Sequence, residues 1–105
     1  MTSNNLTLKI SLMKQIATNY FRARNVLCKK SDVLSDTNFH SLCSYIFCVL
    51  QAYTRLKSSE KSFINNEFFY GAKEEWWKSS LTKEKYKKVQ AQSIDHFLAV
   101  FYEIF

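Results

Sequence analysis

The chain contains no proline and a single glycine, Gly71, among its 105 residues. Strand-rich domains of this size need many turns built on glycine, proline or asparagine, so their scarcity argues against sandwiches and barrels and for helices joined by few turns. One glycine also excludes the glycine-rich loops that cradle phosphates and the fingerprints that bind dinucleotides. Long hydrophobic runs are missing as well. The longest, Tyr45 to Leu50 and Phe97 to Tyr102, have six residues each, against the roughly 20 that a membrane-spanning helix needs. Polar Thr2 to Asn5, followed by interspersed Leu, Lys and Ile, lack the apolar stretch of a secretory signal. Cys28, Cys43 and Cys48 form no CxxC pair and leave an odd thiol, which suits core thiols in a reducing compartment better than a disulfide scaffold. The expected location is the cytoplasm.

Acid is absent from one end of the chain. Residues 1–30 carry Lys9, Lys14, Arg22, Arg24, Lys29 and Lys30 and no Asp or Glu, so they hold the whole net charge of +6 while residues 31–105 are balanced. A basic segment of this kind is attracted to nucleic acid, to an anionic membrane face or to an acidic protein, and it also serves as a solvated helix face.

What is abundant is aromatic: 16% of the chain, with nine Phe, which supplies a dense core or a partner surface from few positions. The apolar period is near 3.6 throughout. From Leu6 to Cys28, residues Leu6, Met13, Ile16, Ala17, Tyr20 and Leu27 share one face, with Lys14, Arg22 and Lys29 opposite. A polar turn from Lys29 to Asp36 follows, where Ser35 or Asp36 can cap the next helix. Thr37 to Lys57 is expected as that second helix. Its broad apolar arc of Phe39, Leu42, Cys43, Ile46, Phe47, Val49, Leu50 and Tyr53 marks it as the central, most buried one, with Ile46 and Leu50 deep in the core.

Ser58 to Ser62 reads as a break. A short third helix through Phe63, Ile64, Phe68 and Phe69 then ends near Gly71 as its C-cap, and Ala72 to Ser79 reads as a short fourth. Ser80 and Leu81 interrupt, Thr82 caps, and a last helix runs from Lys83 toward the C-terminus with Tyr86, Val89, Ser93, Ile94, Phe97, Phe101 and Ile104 on one face. At ~1.5 Å per residue that helix is roughly 33 Å long. The expectation is one all-α domain over residues 1–105, a compact bundle of four or five helices.

The chemistry of catalysis is not found. His40 and Cys43 are three apart but have no second ligand pair, so they fall short of a closed zinc site. Asp95 and His96 are adjacent and diverge by about 100° on a helix, so neither orients the other as a catalytic base. Glu74 and Glu75 sit among lysines as a solvated face. No catalytic residue, metal, cofactor or small-molecule substrate is expected, and the chain is read as a binding protein rather than an enzyme.

Trp76-Trp77, the run Leu81-Thr82-Lys83-Glu84-Lys85-Tyr86-Lys87-Lys88-Val89, and Ser93-Ile94-Asp95-His96-Phe97-Leu98 together resemble the end of the ArpU-type phage transcriptional regulators. They also resemble a family of small mycoplasmal proteins carrying the same element. The resemblance covers the last third of the chain and implies a helix-turn-helix like that of sigma factors, over residues 72–98. It implies Trp76 and Trp77 in the supporting helix, Thr82 as the cap, and Tyr86, Ile94, Phe97 and Leu98 in packing positions. Lys83, Lys85, Lys87 and Lys88 then stand near the start of the recognition helix.

The residues themselves point the same way. With Tyr86 turned inward, the outward arc holds Glu84, Lys85, Lys88, Ala91, Gln92 and Asp95. Lys85, Lys88 and Gln92 are suited to phosphate or base-edge contacts, whereas Glu84 and Asp95 repel phosphate. The expected function is a small transcription-regulator-like protein that contacts duplex DNA through Lys83, Lys85, Lys87, Lys88 and Gln92. The alternative is a helical interaction or dimerisation module, without DNA contact, that docks on an unidentified protein. The aromatic C-terminal run Phe97, Phe101, Tyr102 and Phe105 favours a homodimer in either case. A membrane-surface role for the first helix ranks last, since its apolar face has no Trp and only one Phe at its edge.

Overall fold

The computed structural model describes residues 2–29, 36–70 and 74–105. The caps expected at Ser35 and Gly71 lie outside them. The described residues form four α-helices and no strand: α1 (Thr2–Lys29), α2 (Asp36–Thr54), α3 (Ser58–Ile64) and α4 (Lys83–Ile104), with α3 running directly into a π-turn, Asn65–Phe69. The all-α expectation is met. None of the helices is long and apolar enough to cross a membrane.

Two local expectations are corrected. Ser58 to Ser62 do not break the chain but open α3. Arg55 N–H still bonds the Gln51 carbonyl at 3.3 Å, Leu56 N–H tightens to Tyr53 at 3.1 Å, and Lys57 turns extended at φ −70°, ψ 159°. The Glu60 carboxylate then accepts the Lys57 N–H at 2.9 Å, which satisfies a donor that a new helix leaves open. The serines supply no hydrophobic period, so the pattern missed a helix held by a carboxylate cap.

The second correction concerns the short helix expected at Ala72 to Ser79. From Glu74 to Ser80 the chain makes consecutive turns instead. Glu75 has φ 61°, in the left-handed region that a helix cannot contain, and the bonds that follow, Lys78 N–H to Glu75 and Ser80 N–H to Trp77, both 3.0 Å, have turn spacing. Glu74 and Glu75 are exposed, as a solvated face requires, and Glu75 pairs with Lys78 at 2.8 Å.

The place of central helix passes from α2 to α4, which packs against α1, α2 and α3. Ile94, Phe97, Leu98, Val100 and Phe101 of α4 are buried with Met13 and Ile16 of α1, Cys48, Val49 and Ala52 of α2, and Phe63 and Ile64 of α3. The π-turn is closed by the Tyr70 N–H on the Asn65 carbonyl at 2.7 Å, a hydrogen bond that spans one residue more than in an α-helix. It sets Phe69 against Tyr20 at 5.6 Å and against Phe97 at 6.4 Å between ring centres.

On α2, by contrast, Phe39, Phe47 and Leu50 are exposed and Ile46 is only half-buried. Its arc is broad because it is apolar on two sides, and only one of them packs into the core formed by the described residues. The thiols also divide: Cys48 is buried, Cys43 half-buried, and Cys28 exposed rather than in the core. Of the C-terminal aromatics, Phe97 and Phe101 are core residues, while Tyr102 and Phe105 remain exposed.

Candidate nucleic-acid interface

The start of α4 is built as the sequence suggests. Thr82 is extended at φ −77°, ψ 163°, and its hydroxyl accepts the Lys85 N–H at 3.2 Å, an N-cap of ordinary form. What fixes this end of α4 to the bundle is a single carboxylate. Glu67, in the π-turn, accepts the Trp76 indole N–H at 2.9 Å through one oxygen and the Tyr86 hydroxyl through the other. Trp77 stacks on the Tyr86 ring, 4.4 Å between centres and 22° between planes, and Phe63 packs against both Trp76 and Tyr86. Burial, and after it the hydrogen bond to the Glu67 carboxylate, hold the Tyr86 hydroxyl protonated far above the usual phenol range. The Trp pair therefore supports α4 from a turn, through Glu67, and not from a helix of its own.

This clasp is testable. Tyr86→Phe keeps the ring stacking but removes one charge-assisted hydrogen bond, which is expected to lower stability by about 1–2 kcal/mol. Urea unfolding followed by tryptophan fluorescence measures it, and an unchanged midpoint would show that Glu67 contributes nothing through Tyr86.

Lys83, Lys85, Lys87, Lys88 and Gln92 are all exposed. They divide between two faces. Lys85, Lys88 and Gln92 share the outward arc of the helix, together with Glu84 and Asp95. Lys87, and by its four-residue spacing Lys83, stand on the flank toward α1, where Lys87 borders a shallow cleft with Asn5, Leu6, Lys9, Ala91 and Asp95.

The structure adds Lys9 to the site. Its ammonium is 2.6 Å from the Asp95 carboxylate, so one of the two acids that would repel a phosphate is already paired, by a helix 86 residues away in sequence. Both partners are solvent-accessible, so the pair contributes little to stability; its effect is on the local charge. Gln90 is buried, which explains an uncharged residue in the middle of a lysine-rich segment: a cation there would lose its hydration.

Asp95 and His96 separate as adjacent helical residues must. While Asp95 meets α1, His96 Nδ1 lies 2.8 Å from Glu60 Oε1 of α3. His40 is exposed, and among the described residues no three His, Cys, Asp or Glu side chains are grouped as metal ligands. No family model, no curated protein and no solved structure matches the chain.

Proposed function

We propose that this chain is a small, transcription-regulator-like protein that contacts duplex DNA through the first ten residues of its last helix. The observation that carries the reading is the exposure of four lysines and Gln92 on a capped helix start. Lysines are disfavoured at this end of a helix, where the macrodipole is positive. A phosphate in front of them offsets both the dipole and the mutual repulsion, which is how a helix start serves as an anion site. Pairing of Asp95 with Lys9 leaves Glu84 as the remaining acid of the arc near that end. The supporting helix that the resemblance to ArpU-type regulators implies is replaced by turns from Glu74 to Ser80, so the reading rests on the start of α4 itself. Turns in place of a supporting helix make this a helix start braced by aromatic turns.

Duplex binding measured against salt tests the proposal. Replacing Lys85 and Lys88 together by Gln is expected to weaken binding and to lower the salt slope by roughly two, since each lysine that neutralises a phosphate contributes about 0.9 in B-DNA. Replacing Arg22 and Arg24, exposed on α1, is expected to matter less. Binding that survives the lysine change and vanishes with the arginine change would reduce the effect to nonspecific attraction by the basic first helix. No binding at physiological salt, with helicity intact, would leave the interaction module.

A further inference from the structure

The outward face of α2 is apolar and carries no charged side chain of its own, and among the described residues Phe39, Phe47 and Leu50 on it stay exposed, with Arg24 of α1 bordering it at Leu50. Phe39, Cys43, Ile46 and Leu50 follow one another at spacings of four, three and four, the repeat of a helix seam that meets another helix. Phe47 lies beside this stripe. A groove lined by Cys43, Phe47 and Phe105 continues it onto the end of α4.

From this placement we infer that the α2 face joins two copies of the chain, helix against helix, independently of any contact with DNA. Two features of the face select a second copy. The first is charge. Among its 19 residues α2 has one charged side chain type, Asp36 at its first position, and no Lys, Arg or Glu. Seams between unlike helices use charges beside the stripe to choose their partner; here the exposed positions beside it hold His40 and Phe47. Two chains of charge +6 repel one another, and the face that lets them meet must be one free of that charge. α1 is basic along its length and α4 is basic at its start, so α2 meets that condition.

The second feature is area. At the roughly 200 Å² that a large side chain offers, exposures of 39% for Phe39, 55% for Phe47, 44% for Leu50 and 68% for Phe105 give roughly 400 Å² of apolar surface. A stable interface takes about 800 Å² from each partner, with an apolar core and a polar rim. The four side chains supply that core. Half-buried Cys43 and Ile46, with Ser44 and Gln51 at the edge, supply its surroundings.

Sedimentation of the full chain across the micromolar range tests this. The wild-type chain is expected to dimerise. Phe47→Glu, which sets a carboxylate in the seam from both sides, is expected to weaken the dimer by about tenfold or more, and Leu50→Glu to do the same. Both positions are exposed in the single chain, so helical circular dichroism is expected to be retained. Leu8→Glu, at an apolar position of α1 that is 65% exposed, is expected to leave the dimer intact. A wild-type chain that stays monomeric overturns the proposal and leaves the face to another protein. A dimer that survives both α2 changes, or that Leu8→Glu disperses instead, overturns it in favour of a different surface. Neither result bears on the salt dependence of DNA binding, which reads α4.

Discussion

Phe97→Ala is expected to lower the free energy of unfolding by about 3–5 kcal/mol, the range for deleting a large aromatic from a packed core. Phe97 is fully buried at the centre of α4, with Phe101 stacked on it at 6.1 Å and Phe69 of the π-turn tilted against it at 6.4 Å. Removal of the ring opens a cavity among rigid neighbours that come from separate elements, so collapse around it is limited. Leu50→Ala is the contrast. Its apolar arc on α2 suggests the same penalty, but a side chain that is 44% exposed has little transfer energy to lose, and less than about 1 kcal/mol is expected. Urea unfolding of both variants at one dilute protein concentration measures the pair, the fixed concentration being needed because self-association would add to apparent stability. Equal losses at the two positions would return α2 to the centre of the fold.

Glu60→Ala is expected to cost about 2–4 kcal/mol. The side chain is 3% exposed and bonds both the Lys57 N–H and the His96 ring. Its loss therefore opens the start of α3 and releases its tie to α4 at once. Burial by itself would raise the Glu60 carboxyl, but the backbone donor of Lys57 and the hydrogen bond and charge of His96 outweigh it and hold the group below the usual glutamate range.

A carboxyl held low in the fold contributes stability that is fully present above its unfolded value, near ~4.3, and is lost as pH falls through the lower folded value. Glu60→Gln keeps an oxygen for the cap and removes the charge. It is expected to be less stable than wild type at neutral pH and to lose less on acidification, so the two unfolding curves converge below about pH 4. A constant difference from neutral to acid pH would show that the Glu60 charge has no part in it.

The candidate interface was legible because it depends on near neighbours. Thr82 lies just before Lys83, the lysines crowd one helix start, and Tyr86, Ile94 and Phe97 return at the period of a helix, so capping and exposure follow from local rules. Its supports were not legible. Lys9 and Asp95 are 86 residues apart and Glu60 and His96 are 36 apart; nothing in the separate segments marks them as partners. Glu67 carries a weak signal, an acid directly before the aromatic run Phe68-Phe69-Tyr70 and close to two tryptophans whose indole N–H groups need acceptors. The sequence reads as a short helix from Ala72 to Ser79 because Trp76 and Trp77 are apolar, but a two-residue apolar pair has no period to measure, and the chain forms turns from Glu74 to Ser80 instead.

By itself the sequence determined the helical class, the ends of the last helix, the buried face of that helix and the uneven charge, all properties of residues within a few positions of one another. Only the tertiary structure decided which helix is central. Periodicity reports how much apolar surface a helix carries, whereas burial depends on which neighbours cover it. α4, with a narrower stripe, is enclosed by three helices, and α2, with apolar residues on both sides, is left with one of them facing out.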